Sequence, residues 1–468
     1  MKKLIAIVSG ILLAMGSFVG CKKAATVPAD QPVGGQPDWV KNAVIYEVNT
    51  RQYTPEGTFN AMAGHLPRLK ELGVDVLWFM PIHPISEKNR KGELGSYYAA
   101  ADFKAVNPEF GTFDDFRALV DSAHALGMKV IIDWVPNHTG CDNAWVTEHP
   151  EYYALNDSGQ MFGPYDWTDV YKLDYSKPET RKAMTDIMAF WLNEAGIDGF
   201  RCDAAALVPV DYWNDTRKEL EQAAGRPIFM LAEAQEPELV EEAFDADYNW
   251  PMKELFNEIA YTSGQYTFGN GEKTFPEKHA ADIYALLAHQ DTTYRAGSFM
   301  MNMTSNHDLN SWEGTEFERL GNLSGALAAI SYTLPGMPLI YTGQETGMNR
   351  ALEFFVKDTP PQWEPTNDYF TFYQRLNAMK HSRPELAVGA DAAKVVEIPT
   401  GNPDVIVYAR TAGNSTTLTG ANLGKEEAKL TIELPFNLDG ATDVVKAAPA
   451  VLPEALAPGE FFVFTVNN

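Results

Sequence analysis

Between residues 43 and 382, short apolar runs alternate with longer amphipathic stretches, strand-like run after strand-like run. That alternation is the pattern of βα units, which assemble into a parallel sheet with helices outside it. The runs 43–49, 74–80, 129–135, 197–203, 227–233, 244–250, 299–306 and 337–343 read as strands. Helix signals fall between them. Gly73 closes a helix over 65–72, and Pro81 stops the strand that follows. Thr112 or Asp114 caps a helix over 112–125 that ends at Gly127. A helix over 178–195 ends at Gly196, and one over 368–381 completes the ring. Eight parallel strands with helices between them predict an α/β fold, a closed (β/α)8 barrel.

The chain has 468 residues, about right for such a barrel plus one smaller unit. Residues 137–178, after the third strand, hold Trp, Tyr, Asp, Pro and Gly with little periodicity. A connection that long is a functional loop or a small excursion domain. Residues 251–298 also hold more than one ordinary helix. From about residue 385 the texture changes to short β-like runs at 395–398, 405–409, 417–421, 429–434 and 461–466. Turns at Asn402-Pro403-Asp404 and Asn437-Leu438-Asp439-Gly440 separate some of them, which predicts a small antiparallel β-sandwich. The expected organisation is a barrel over 38–136 and 179–384, an excursion over 137–178, and a C-terminal β unit over 385–468.

The N-terminus reads as an address rather than as fold. Lys2 and Lys3 precede an apolar run over 4–19, shorter than a spanning helix, that ends at Phe18-Val19-Gly20-Cys21. This resembles a bacterial lipoprotein signal over 1–20, with Cys21 lipidated and residues 21–37 as a flexible tether. Phe18 departs from the usual leucine. The expectation is an exported, membrane-anchored protein that meets the membrane only through Cys21. No later segment is apolar enough to span a bilayer. Cys141 and Cys202 remain. Cys202 lies between two functional strand residues and is expected to face the surrounding helices, so neither a bridge nor a cysteine nucleophile is expected. The formal net charge of -26, from 63 acidic and 37 basic residues, repels nucleic acid.

Barrel enzymes carry their working residues at the C-terminal ends of the strands. Polar clusters stand there: Asp133-Trp134-Val135-Pro136-Asn137-His138, Gly199-Phe200-Arg201-Cys202-Asp203, Phe229-Met230-Leu231-Ala232-Glu233 and Asn306-His307-Asp308. Strand alternation puts Arg201 and Asp203 on one side. Three carboxylates, Asp203, Glu233 and Asp308, then converge on one rim. Retaining glycoside hydrolysis needs two carboxyl groups about 5 to 5.5 Å apart, one nucleophilic and one protonated. Neighbouring carboxylates and a partly dry cleft raise the acid's pKa, while Arg201 keeps Asp203 ionised. His138 and His307 offer donors for sugar hydroxyls.

These motifs resemble those of the α-amylase family, glycoside hydrolase family thirteen, a TIM-barrel family. The matches are Asp133, Asn137 and His138 at strand three, and Gly199, Arg201 and Asp203 at strand four. Glu233 matches at strand five, and Asn306, His307 and Asp308 at strand seven. Leu173-Asp174-Tyr175, Gly95-Ser96-Tyr97-Tyr98, Asp102-Phe103 and Asn107-Pro108-Glu109-Phe110-Gly111-Thr112 match as well. The resemblance spans roughly residues 38–382. It implies Asp203 as nucleophile, Glu233 as acid/base, and Asp308 as stabiliser of the distorted sugar. It further implies that Arg201 orients Asp203, that His138, His307 and Asn306 belong to the substrate site, and that Tyr98 is the aromatic platform under the sugar. The implied substrate is an α-glucan, cut endo-wise at α-1,4 bonds in starch, glycogen or malto-oligosaccharides.

One departure and one match bear on that reading. Many α-amylases carry Lys-His at the third and fourth places after the nucleophile, to bind the leaving glucan and, through the His carbonyl, a calcium ion; here stand Ala206 and Leu207. Asn137 matches the family's calcium asparagine, with Asp142, Asp157, Asp166 and Asp169 as the other candidates for a structural Ca²⁺. The chemistry itself calls for no cofactor. The same constellation serves neopullulanase, cyclomaltodextrinase, oligo-1,6-glucosidase and α-glucan transglycosylases. A glucan-binding lipoprotein without activity is the alternative outside enzymes, but such relatives lose triad carboxylates and this chain keeps all three.

Overall fold

A computed structural model of the chain describes residues 36–271 and 273–467. The expected signal over 1–20, Cys21 and nearly all of the tether over 21–37 lie outside the described residues. Eight parallel strands close into a barrel: β1 Ile45–Val48, β2 Val76–Phe79, β3 Lys129–Trp134, β4 Gly199–Cys202, β5 Phe229–Ala232, β6 Ala246–Tyr248, β7 Phe299–Asn302 and β8 Met337–Tyr341. Each pairs with its neighbour in sequence, and β1 pairs with β8. Every expected strand is present. Each is shorter than expected: five begin two residues later, and all end before the residues that form the rim.

Strand alternation sorts the barrel into two apolar sets. Ile45, Trp78, Ile131, Phe229, Leu231, Ala246, Tyr248, Met301 and Leu339 fill the interior. Tyr46, Leu77, Phe79, Val130, Ile132, Phe200, Met230 and Ile340 face the helices. Burying a large apolar side chain stabilises the fold by about 1.5 to 3 kcal/mol, so either misregister would be costly. The same period of two carries Glu47, Asp133, Arg201, Asp203 and Glu233 along the inward face to the rim. Between β4 and β5 the approach is close: a Cβ on Gly199 would lie 1.8 Å from the Phe229 carbonyl oxygen. Only glycine fits there, and that approach brings the ends of β4 and β5 together.

The helices are set by their caps. Thr112 begins the helix Phe113–Ala125, its side chain accepting the Asp115 amide in a reciprocal capping box. The expected helix over 178–195 runs as Pro178–Phe190 and then a single wider π turn, Trp191–Ala195, stopped by left-handed Gly196. The excursion after β3 holds an antiparallel ribbon, His138–Gly140 against Val170–Lys172. Within residues 251–298 lie the helices Trp250–Thr262, which starts one residue earlier, and Asp282–Thr293. Among the described residues, no helix is long and apolar enough to cross a membrane.

The C-terminal unit is an antiparallel sheet of six strands, built on Val405–Ala412, Ser415–Asn422 and Phe461–Asn467. Ile406, Tyr408 and Ala421 pack against Leu323, Leu327 and Ile330 on the barrel's outer layer. Val407, Leu418, Phe462 and Phe464 cover the other face with Leu430 and Leu456. That second layer is thin, a two-stranded pair of Ala428–Lys429 with Ala455–Leu456. The run expected as a strand over 429–434 is irregular after Lys429.

Candidate active site

At the mouth of the barrel everything is arranged around one guanidinium. Arg201 is fully buried, and its Nη1 donates to Asp133 Oδ1 at 2.8 Å and to Asp203 Oδ1 at 3.0 Å. Its Nη2 lies 3.1 Å from Glu233 Oε2, as an ion pair without hydrogen-bond geometry. Its Nε donates to the Tyr248 hydroxyl at 2.9 Å. The carboxyl groups of Asp203 and Glu233 therefore flank adjacent nitrogens of one cation, compatible with the spacing of about 5 Å that retention requires. Glu233 Oε2 also accepts the Ala204 backbone N–H at 2.7 Å. Ala204 holds a left-handed conformation (φ 44°), strained for a residue with a Cβ, and its amide is thereby aimed across from β4 to β5.

One guanidinium among several acids in a dry place leaves protons behind. Burial pushes Asp203 up to about 6, with Arg201 pulling it back and Asp133 and Asp308 adding to the rise. Burial pushes Glu233 higher, to about 7, against Arg201 and with the help of Asp203 and Asp308. The order is the useful one: Asp203 ionises first, and Glu233 keeps a proton near neutrality. Asp133, also raised by burial to about 6, is shut inside and accepts from Arg201, the Tyr98 hydroxyl and Trp78 Nε1.

The opposite wall is built on Tyr98 and His307, stacked with centroids 5.4 Å apart and planes at 21°. Tyr98 O–H donates to Asp133 Oδ2 at 2.9 Å, so its oxygen accepts from His307 Nε2, 2.8 Å away. His307 Nδ1 donates to Glu47 Oε1 at 2.5 Å. Both ring nitrogens of His307 thus carry protons. Burial opposes that charge, but Asp308 and Glu47 outweigh it and raise His307 to about 9. Asp308 sits next along the chain, 3.4 Å from His307 Nε2 and still 38% exposed, the most open of the carboxylates.

Tyr98, His138, Asp203, Glu233, His307 and Asp308 all line one cleft of about 730 Å³. Arg201 stands behind it. His138 has less freedom than expected. Its Nε2 donates to the Tyr98 carbonyl at 3.1 Å and its Nδ1 accepts from Asn137 Nδ2 at 3.1 Å, a neutral ring that burial holds down at about 4. Asn306 is placed elsewhere than the resemblance implied. It is fully buried and does not line the cleft, and its Oδ1 accepts the Leu309 amide, fixing the turn that presents His307 and Asp308.

Three of the candidate calcium ligands, Asn137, Asp142 and Asp169, have protein partners. Asn137 donates its side-chain Nδ2 to His138, and its backbone carbonyl accepts the Leu173 N–H. Asp142 caps the amides of Glu87 and Lys88 at 2.8 and 2.9 Å. Asp169 pairs with Lys91 Nζ at 3.2 Å, and Asp157 and Asp166 are exposed. Among the described residues no three His, Cys, Asp or Glu side chains are grouped to hold a metal ion.

Sequence reasoning missed Glu47, the partner of His307. Its signal was present: a lone acid at the end of the apolar run of β1, in register with inward Ile45. It also missed the aromatic lining of Tyr165, Trp167, Trp250, Trp312, Phe354 and Phe355, supplied by segments far apart in the chain.

Comparison with known proteins points one way on family. The family model "Alpha amylase, catalytic domain" matches residues 34–167 and 152–385. The fold superposes on a noncanonic maltogenic α-amylase from Thermotoga neapolitana with a TM-score of 0.78 at 27% identity, over 92% of this chain and 99% of that one. The α-amylase MalA of Haloarcula japonica is 26% identical over 91% of this chain, which spans only 61% of that protein's length. Neopullulanase 2 of Thermoactinomyces vulgaris is 27% identical over 75% of this chain and 65% of its own length.

Proposed function

Because the chain belongs to the α-amylase family of glycoside hydrolases, we propose that it cleaves α-1,4-glucosidic bonds within starch, glycogen or malto-oligosaccharides, endo-wise and with retention. The observation that carries this reading is the single guanidinium of Arg201 shared by Asp203 and Glu233. Asp203 Oδ attacks the anomeric carbon as the glycosidic bond breaks. Glu233 gives its proton to the leaving oxygen. Since Oε2 accepts the Ala204 amide, that proton sits on Oε1. The glycosyl–Asp203 ester is then opened by water, whose proton returns to Glu233 and restores both carboxyl groups. Asp308, open to the cleft beside His307, holds the hydroxyls of the distorted ring, and Tyr98 lies under its apolar face. No metal takes part in these steps.

The test is the product profile of the protein from residue 37 on soluble starch, with pullulan alongside. A ladder of malto-oligosaccharides from starch, with little from pullulan, is expected. Fast release of panose or maltose from pullulan would move the reading to a neopullulanase-like enzyme, and longer products than the substrate to a transglycosylase. No product from either, in folded protein, would remove hydrolysis and leave glucan binding. Export and lipid attachment at Cys21 belong to the same proposal on the sequence alone, and radiolabelled palmitate incorporation that disappears in Cys21→Ser checks them.

A further inference from the structure

An arginine has five N–H bonds to place, and Arg201 must place them where there is no water to take them. Nη1 gives its hydrogens to two carboxylates, Asp133 on β3 and Asp203 just past the end of β4. Nε gives its hydrogen to the Tyr248 hydroxyl at 2.9 Å. Nη2 makes no hydrogen bond, although Glu233 Oε2 lies only 3.1 Å away. One cation thus treats its two working acids unequally. Asp203 receives a charge-assisted hydrogen bond, which favours its ionised form. Glu233 receives attraction without that bond, and its Oε2 accepts the Ala204 amide instead.

The unequal pose depends on Tyr248. This residue ends β6 on the inward side, fully buried, its ring edge-on to Trp78 at 6.3 Å and tilted against Trp250 at 5.1 Å. With the Tyr248 bond in place, the guanidinium is held at two nitrogens, Nε and Nη1. Without it, both remaining hydrogen bonds sit on Nη1 alone. The group then pivots there, and Glu233 Oε2 is the acceptor next to Nη2. Tyr248 adds no charge of its own. Burial, with Glu233, Glu47 and Asp133 nearby, keeps its phenol protonated against the pull of Arg201. The titratable groups facing Arg201 are Asp133, Asp203, Glu233, Tyr98, Tyr248 and His307, and Glu233 also faces Asp308. We infer that Tyr248 is a positioning residue: by holding Arg201 Nε it directs the guanidinium's hydrogen bond to Asp203 and withholds it from Glu233, which keeps nucleophile and acid distinct. This rests on the hydrolase reading above, in which Asp203 attacks and Glu233 protonates the leaving oxygen.

The experiment compares pH profiles of kcat/KM on soluble starch for the wild-type protein and Tyr248→Phe, which keeps the ring between Trp78 and Trp250. The first chemical step needs Asp203 ionised and Glu233 protonated, so kcat/KM falls at both ends of a bell. In the variant Nη2 turns onto Glu233 and favours its charged form. The alkaline limb is expected to move down by about one pH unit, a loss of about tenfold at pH 8 with little loss at pH 5. The acid limb is expected to stay, since the Nη1 bonds remain. α-Maltosyl fluoride is the second substrate. Its C–F bond breaks as the ester to Asp203 forms, and fluoride leaves with little help from an acid, so the alkaline loss is expected to shrink to about twofold. Tyr248→Leu, which removes the ring as well, is the second variant; a lower melting temperature with the same alkaline shift is expected. An alkaline limb unmoved in both variants, or a loss equal at every pH and on both substrates, overturns the positioning role and leaves the hydrolase reading standing. Folded wild-type protein that consumes neither starch nor the fluoride overturns both together.

Discussion

Two buried charge clusters in this molecule look alike on paper and differ in what they leave undone. At the barrel mouth, Arg201 and His307 face Glu47, Asp133, Asp203, Glu233 and Asp308, with acids in surplus. At the junction of barrel and C-terminal sheet, Lys380, Arg383 and Arg410 meet the lone acid Glu385. There the cations spend themselves on carbonyl oxygens. Lys380 Nζ donates to Gly336 and Leu386, Arg410 to Ala393, Thr333 and Ala387, and Arg383 to Thr416 and Val466 besides Glu385. Burial lowers Lys380 well below the usual lysine range and Arg410 to about 10, and neither lines the cleft that holds Asp203 and Glu233. A buried charge whose capacity is consumed by the backbone holds parts together. A surplus of acids in a dry, open site keeps protons for chemistry.

The sharpest way to break that comparison is to remove one charge from each. Asp203→Asn takes away an acid from the surplus. Turnover on starch is expected to fall by about 10⁴-fold or more, with no loss of melting temperature, since one source of repulsion goes. Comparable activity in Asp203→Asn would remove the nucleophile assignment. Arg383→Ala should do the reverse. It leaves Glu385 buried without its cation and is expected to cost about 3 to 5 kcal/mol in urea unfolding, with kcat of the folded protein unchanged.

Glu47→Gln sharpens the contrast inside the mouth. The amide keeps the shape and can still accept a hydrogen bond from His307, but one of the two charges that raise this histidine against burial is gone. Its titration, followed by NMR of the imidazole protons, should fall from about 9 toward the ordinary histidine range. The sign follows for activity. Below about pH 6 both proteins carry the imidazolium and differ little. As pH rises toward 8 the variant loses it first, so kcat/KM should drop by about tenfold at the alkaline end only. Parallel pH profiles would mean that Glu47 merely fills space.

These residues also mark how far the sequence could be read. The eight strands were legible because apolar runs of similar length recur between amphipathic stretches, and because alternation carries Arg201, Asp203 and Glu233 to one side. What closes around them was not. Glu47 pairs with His307 across 260 positions of sequence; its register with inward Ile45 marks it as inward, but nothing local names its partner. Asn306 belongs to the same motif as His307 and Asp308, yet it is fully buried and its Oδ1 is taken by the Leu309 amide. The Lys91–Asp169 pair and the amides on Asp142 likewise use acids that composition alone offered to a cation. Loop residues such as Trp312 and Phe354 acquire meaning only once β7 and β8 stand beside β1.

Asp247 tests whether an unsatisfied acid is enough to mark function. It lies on β6 facing away from the barrel interior, fully buried, with Oδ2 accepting from the Tyr294 hydroxyl at 3.1 Å and Oδ1 without a partner. Burial raises it to about 8, higher than either carboxyl group that the reaction uses, with Tyr294 only partly offsetting the rise. But it does not open on the cleft. The folded state therefore holds a proton there that the unfolded chain, with an ordinary aspartate, gives up near pH 4. Between those values folding takes up a proton, and stability falls as pH rises. Asp247→Asn is expected to raise the melting temperature at pH 8 by a few degrees, with the gain shrinking toward pH 4 and starch hydrolysis unaffected. If the variant instead slowed hydrolysis at every pH while leaving the melting curve alone, access to the cleft would not be what separates a working acid from a buried one.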